Sequence, residues 1–166
     1  MALTIEDGTI VIHANSWVDL QTYIDYADSQ GVTITDTEKA ERNLIQAQQY
    51  ITSFESKLKG YKVSRIQYTA YPREYLYLDG FYEPNDEVPQ LVKQCQLEFA
   101  LLLYQGKDLF NAEPQRVTRR EKVDGAVEVE YFGSEKALPA KKENPATMLL
   151  NRLMKNTGLS FQIIRR

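Results

Sequence analysis

The most apolar run of the chain lies at residues 89–104 and has the spacing of an α-helix. Pro89 suits a first helical turn, and Gly106 is a left-handed stop. One face carries the apolar residues Leu91, Val92, Cys95, Phe99, Leu102 and Leu103. A second stripe on the far side consists of Leu97, Leu101 and Tyr104. A surface helix needs only one stripe, so we expect this helix to be buried on both sides, by its own domain or by another subunit. We assign the second stripe to a subunit interface.

Two helices are predicted before this central helix. The first spans roughly Trp17 to Gln30, with a cap at Asn15-Ser16 and with Gly31 after its end. The second begins at Thr35, which has capping-box spacing to Glu38. Its apolar positions form one narrow stripe, made of Ala40, Leu44, Ala47, Ile51, Phe54 and Leu58. This one-sided pattern predicts a helix of about five turns that packs on the central helix.

Residues 115–132 predict a β-hairpin after the central helix. Asp124-Gly125 favours a type I′ turn between strands at Val117–Val123 and Ala126–Phe132. The first strand is basic, and the candidate contact residues are Arg116, Arg119 and Arg120. The second strand carries Glu128 and Glu130, so ion pairs between the two strands would explain the same charges.

Residues 133–166 predict a polar linker, a last helix and an extended arm. The helix begins at Asn144-Pro145 and ends at Gly158. The arm alternates apolar and polar residues as a strand does and ends in two arginines, so we expect it to pair with another chain. Its candidate contact residues are Leu159, Phe161, Ile163, Ile164, Arg165 and Arg166.

Residues 59–87 lack a helical period and are predicted to form a long loop that is either ordered by its aromatic residues or functional. This loop contains six tyrosines: Tyr61, Tyr68, Tyr71, Tyr75, Tyr77 and Tyr82. The rings could stack on single-stranded bases, or they could pack over the helices with their hydroxyl groups outward. We favour packing, because the acidic residues in and beside the loop repel phosphate. Pro72 and Arg73 are predicted to be structural, with the Arg73 guanidinium bound to a carboxylate or to loop carbonyls.

The charge is divided along the chain, whose net charge is −3. Residues 74–98 carry six acids and one base, whereas residues 133–166 carry seven bases and two acids. Opposed blocks of this kind fit head-to-tail contact between copies or with a partner, although two solvated faces would give the same pattern. The low isoelectric point of about 5.3 argues against a general nucleic-acid coat.

The length and the predicted elements together indicate one mainly α domain, for which we expect no cofactor and no metal. Its parts are a helical core at 1–114, the hairpin at 115–132, and the linker, helix and arm at 133–166. The single cysteine, Cys95, lies on an apolar face and is interpreted as a buried, reduced thiol in a cytosolic setting. His13, the only histidine, has no other ligand at metal-binding spacing, and no nucleophile or phosphate-loop motif occurs. We therefore predict that the protein is not an enzyme, and no apolar run predicts a membrane span.

Several stretches together resemble phage head–tail connector proteins, also called adaptor or head-completion proteins and often labelled DnaT-like single-stranded-DNA-binding proteins. The similar stretches are the opening MALTIEDGT with Ala14–Trp17, the Ala-rich second helix, Tyr71-Pro72-Arg73, Val88-Pro89 before the long apolar helix, the strand pair at Lys122–Tyr131, the Leu-rich last helix and the arginine-bearing end. The resemblance covers nearly the whole chain.

This resemblance implies a bundle of about four helices, repeated as a ring of about twelve copies beneath the portal protein. Such a ring lies in the neck of the virion, is assembled in the bacterial cytoplasm, and binds a tail, terminator or further neck protein. DNA passes through its channel without sequence-specific binding. The arm, Leu159–Arg166, would reach the portal. The alternative is a single-stranded-DNA-binding accessory protein, as the DnaT-like label suggests.

Overall fold

The computed structural model describes residues 2–110 and 144–155. This part of the chain contains four α-helices and two small antiparallel sheets. In chain order the elements are α1 (Leu20–Ser29), α2 (Thr37–Ser53), a 3-10 turn (Glu55–Lys57), β1 (Tyr61–Lys62), β2 (Arg73–Glu74), β3 (Leu76–Leu78), β4 (Phe81–Glu83), α3 (Gln90–Tyr104) and α4 (Pro145–Leu153). The predicted hairpin at 115–132, the linker at 133–143 and the arm at 159–166 lie outside the described residues.

Helix α3 is the central element of the described fold. It packs mainly against α2 and α4, and α1 contacts both α2 and α3. Leu97 and Leu101, in its second stripe, are only 5% and 7% exposed within this single chain. Tyr104 is half-buried, and its hydroxyl accepts a hydrogen bond from the Thr35 backbone N–H at 3.0 Å. Packing within one chain therefore explains the burial of both stripes. A subunit contact by these residues stays a prediction.

Helices α1, α2 and α4 start at side-chain caps, two of which differ from the predicted ones. Helix α1 begins at Leu20 because the Asp19 carboxylate accepts from the Thr22 N–H at 2.9 Å. The start at Trp17 was wrong, since the Ser16 hydroxyl binds the backbone of Val18 instead. Helix α2 is capped by Asp36 and not by Thr35.

The last helix has its predicted start and an earlier end. The Asn144 side chain accepts from the Thr147 N–H at 2.8 Å, and Ala146, Leu150 and Leu153 are buried. Helix α4 ends at Leu153, so the predicted end at Gly158 was wrong. Its C-terminal end is held by backbone hydrogen bonds that join Lys59 to Leu153 and Lys155 to Lys57. None of the helices in the described ranges has the length and apolar character needed to cross a membrane.

Residues 59–87 contain two pairs of short strands that the sequence did not predict. Strands β1 and β2 pair antiparallel, and β3 and β4 form a hairpin in which Tyr77 lies opposite Tyr82. Asp79 and Gly80 form its turn with φ values of 52° and 89°, which is the left-handed backbone of a two-residue hairpin turn. The prediction of one long loop was therefore wrong.

Candidate interaction surface

The β3–β4 hairpin presents a group of exposed aromatic rings. Tyr77 and Tyr82 are 58% and 54% exposed, and their ring centroids lie 5.5 Å apart at an interplanar angle of 62°. Tyr75, just before β3, and Phe81, at the start of β4, are also exposed. Large apolar side chains exposed together are typical of an interaction site. We call residues 75–83 the aromatic hairpin.

The aromatic hairpin is fixed to the body of the protein. Leu76 and Leu78 point into the core, as the alternation of a strand requires when the intervening Tyr77 faces solvent. At the turn, the Asp79 carboxylate forms an ion pair with Arg152 of α4. Gly60, with φ 68°, lies so close to the backbone before β3 that an added Cβ would come within 2.6 Å of the Glu74 carbonyl oxygen. These contacts hold the exposed rings on a defined support.

Arg73, in β2 just before the aromatic hairpin, is buried. Its Nε donates to the Lys59 carbonyl at 2.7 Å, while its two terminal nitrogens donate to Gly60 at 2.9 Å and to Ala70 at 3.2 Å. Of the two kinds of partner that the sequence left open, the structure shows carbonyls. Removal from water lowers the pKa of the guanidinium.

The residues just before Arg73 are buried as well. Pro72 follows Tyr71 through a cis peptide bond. The Tyr71 ring lies edge-on to Trp17, with centroids 5.9 Å apart. That Pro72 and Arg73 serve only a structural role stays a prediction.

The tyrosines of residues 59–87 are mostly exposed, contrary to expectation. Of the six, only Tyr71 is buried. The interpretation that they pack over the helices was wrong for the other five, because strand alternation and turn positions direct those rings outward. The missed hairpin had a clear signal, Asp79-Gly80 between two short apolar runs, which is the same signal that predicts the hairpin at 115–132.

The charge around the aromatic hairpin is negative. Residues 74–87 contain five acidic residues and no basic residue. Asp79 is paired with Arg152, whereas Glu83, Asp86 and Glu87 form no ion pair with any residue in 2–110 or 144–155. Even with Arg152 counted, this segment keeps a net negative charge, which opposes phosphate groups and favours basic protein segments.

The other candidate residues are not part of the aromatic hairpin. Cys95 is buried with its thiol toward the Ala146 carbonyl at 3.8 Å, and burial raises its pKa. His13 is exposed and its ring lies 4.8 Å from that of Tyr68. Among the described residues, no three histidine, cysteine or acidic side chains are grouped as metal ligands. The candidate contacts Arg116, Arg119, Arg120 and those from Leu159 to Arg166 lie outside the described ranges.

Comparison with known families gives one match. The family described as "Putative DnaT-like ssDNA binding protein" matches residues 1–166. No curated protein matches the chain, and no solved structure does.

Proposed function

We propose that this chain, which belongs to the family of DnaT-like ssDNA-binding proteins, is a structural protein of a phage neck that works through protein–protein contacts. The observation that carries the proposal is the aromatic hairpin, which combines exposed rings with a negative surround. Such a surface suits a protein partner better than a phosphate backbone. The resemblance to head–tail connectors supplies the place of the protein in the virion.

In this proposal the helical core is repeated as a ring of about twelve copies between the portal and the next neck or tail protein. The ring extends the channel through which DNA passes. A channel wall that is acidic lets DNA slide without tight binding, because like charges repel. The arm at Leu159–Arg166 is the element proposed to reach the portal. This function requires no cofactor and no catalytic residue.

Binding of single-stranded DNA is the second candidate function. The family description supports it more directly than it supports a neck protein. In the structure, the exposed pair Tyr77 and Tyr82 offers a stacking platform of the kind that binds unpaired bases. The acidic residues at 74–87 oppose this function, since such sites normally combine rings with a positively charged groove.

Two measurements on the purified full chain separate these functions. Negative-stain images and mass photometry test for a ring, and fluorescence anisotropy with a labelled oligo(dT) at several salt concentrations tests for single-stranded-DNA binding. We expect rings and no salt-sensitive binding. Monomers that bind the oligonucleotide with a steep salt dependence would overturn the neck proposal in favour of the second candidate.

A matched pair of variants locates any DNA binding that is found. If the hairpin rings stack on bases, Tyr77→Ser with Tyr82→Ser should weaken oligo(dT) binding at least tenfold, because each stacked base contributes about 1–3 kcal/mol. Tyr68→Ser removes an exposed tyrosine outside the aromatic hairpin and serves as the control. Equal losses in both variants would exclude the hairpin as the DNA site.

A further inference from the structure

In addition to its exposed rings, the aromatic hairpin has strand edges that no other strand of residues 2–110 or 144–155 covers. Within the described residues, β3 pairs with β4 alone. In a two-residue hairpin the pair beside the turn, here Leu78 and Phe81, exchanges hydrogen bonds, so the backbone groups of the next pair, Tyr77 and Tyr82, point outward. No hydrogen bond joins those outward groups to another element of the described chain. Such an edge can take up an extended polypeptide as an additional strand.

The same chain contains a segment with the complementary chemistry. Residues 159–166, LSFQIIRR, place Leu159, Phe161 and Ile163 at alternating positions and contain two arginines and no acid. Alternating apolar side chains on one face can pack against the exposed rings, while the arginines meet the acids of residues 74–87. One sequence therefore supplies both halves of a contact.

We propose that the aromatic hairpin of one copy binds residues 159–166 of a second copy and thereby joins copies head to tail. The inference rests on the proposed function, because a head-to-tail contact that closes on itself forms a ring. It adds the residues of that contact and the direction in which copies join. The portal, for which the resemblance predicts a contact with the same segment, would compete with the hairpin for it.

The test compares the self-association of full-length variants by sedimentation velocity. Tyr77→Ser with Tyr82→Ser alters the hairpin, and Phe161→Ser with Ile163→Ser alters the segment. Each should weaken self-association at least tenfold, as expected when central aromatic anchors of an interface are removed. Tyr68→Ser should leave self-association unchanged. Arg165→Gln with Arg166→Gln should weaken it by a smaller factor and reduce its dependence on salt.

Mixing the two defective variants distinguishes binding between two copies from binding within one chain. The hairpin variant keeps an intact segment and the segment variant keeps an intact hairpin, so an equimolar mixture should form one-to-one dimers while each variant alone stays monomeric. A mixture that stays monomeric overturns the inference, as does a wild-type monomer in which the segment occupies its own hairpin. If the hairpin variant and the segment variant both still form rings, the proposed contact is wrong and the neck proposal stands. If the wild-type chain is a monomer that binds oligo(dT), both the contact and the neck proposal are wrong.

Discussion

A single buried amide connects three parts of the chain that are distant in sequence. The Gln96 side chain on α3 donates to the Ser16 hydroxyl at 2.8 Å and to the Leu44 carbonyl on α2 at 2.9 Å. Its oxygen accepts from the Trp17 backbone N–H at 3.0 Å. Gln96 thus uses both its donor and its acceptor capacity in a site without solvent, which is the condition under which a buried polar group stabilises a fold.

Replacing this amide by an apolar side chain of similar length should destabilise the protein. Gln96→Met leaves the buried Trp17 N–H without its partner, and an unsatisfied buried group costs about 1–3 kcal/mol. We expect a melting temperature lower by several degrees, measured by circular dichroism. Gln94→Met changes an exposed residue of the same helix and is the control. Equal melting temperatures for the two variants would show that the amide does not stabilise the fold.

Arg73 is the second residue whose geometry makes a specific prediction. Three nitrogens of its planar fork donate to three carbonyls, and a lysine ammonium cannot reproduce that arrangement. Arg73→Lys should therefore lower the free energy of unfolding by about 2 kcal/mol, from urea titrations. Arg65→Lys makes the same change at an exposed position. If Arg73→Lys unfolds at the wild-type urea concentration, the structural role assigned to Arg73 is wrong.

Buried ionisable groups predict weaker stability at alkaline pH. Burial raises the pKa values of Tyr23, Tyr71 and Cys95 in the folded protein. These groups stay protonated when folded, whereas the unfolded chain loses the protons near pH 8.5 for cysteine and about 10 for tyrosine. Their contribution is therefore fully present below about pH 8.5 and is lost as the pH rises. Urea midpoints at pH 7.5 and 10.5 measure the loss, which should be smaller in Tyr71→Phe than in Tyr68→Phe.

At the scale of elements, the helices were largely predictable and the aromatic hairpin was not recognised. Helices α2, α3 and α4 combine long apolar stripes with a local start signal, and such signals depend on neighbouring residues only. The start of α1 was placed too early because the predicted cap, Ser16, is held together with Trp17 by long-range contacts with Gln96, which no local pattern shows.

Predicting the candidate site from the sequence would have required more than the local signals that predict the helices. Strands of two or three residues give too few positions for an alternating pattern, so only the Asp79-Gly80 turn could have indicated the hairpin. Its exposure follows from the anchoring of Leu76, Leu78 and Asp79 on other elements, which no local pattern contains. For the same reason, the two-sided burial of α3 was predicted, but its second stripe was assigned to a subunit interface although Leu97 and Leu101 are already buried within one chain.

A charge placed on a buried face of α3 should unfold the protein. Leu101 lies in the buried core around α3, and Leu101→Asp would place a carboxylate there without a partner, at a cost of several kcal/mol. We expect the variant to be insoluble or unfolded by circular dichroism at 25 °C. Gln94→Asp introduces the same charge at an exposed position and should fold normally. A folded Leu101→Asp protein that also assembles with its partners would show that the second stripe is not required for either purpose.

At the scale of the whole molecule, the described residues form a body whose core is closed and whose interaction chemistry lies at its surface. The core of the described residues joins all four helices with the segment from Leu58 to Leu78. Helix α4 is attached to that body on one side by Cys95 and on the other by Lys57 and Lys59. Removal of residues beyond this helix should therefore leave the fold intact.

The last prediction uses this independence to test the arm. A chain truncated after Gly158 lacks Leu159–Arg166 and keeps every described element. Its circular dichroism and melting temperature should match the full chain, because every core residue of the described ranges is kept. Docking onto tailless capsids that carry a portal should be abolished, since the arm is the element proposed to complete a sheet edge on the portal and to supply Arg165 and Arg166 to its acidic groups. Co-sedimentation of the two proteins with such capsids measures docking, with portal-free capsids as the control. Full-strength binding by the truncated chain would exclude the arm and point to the predicted hairpin at Val117–Phe132 as the portal-facing element.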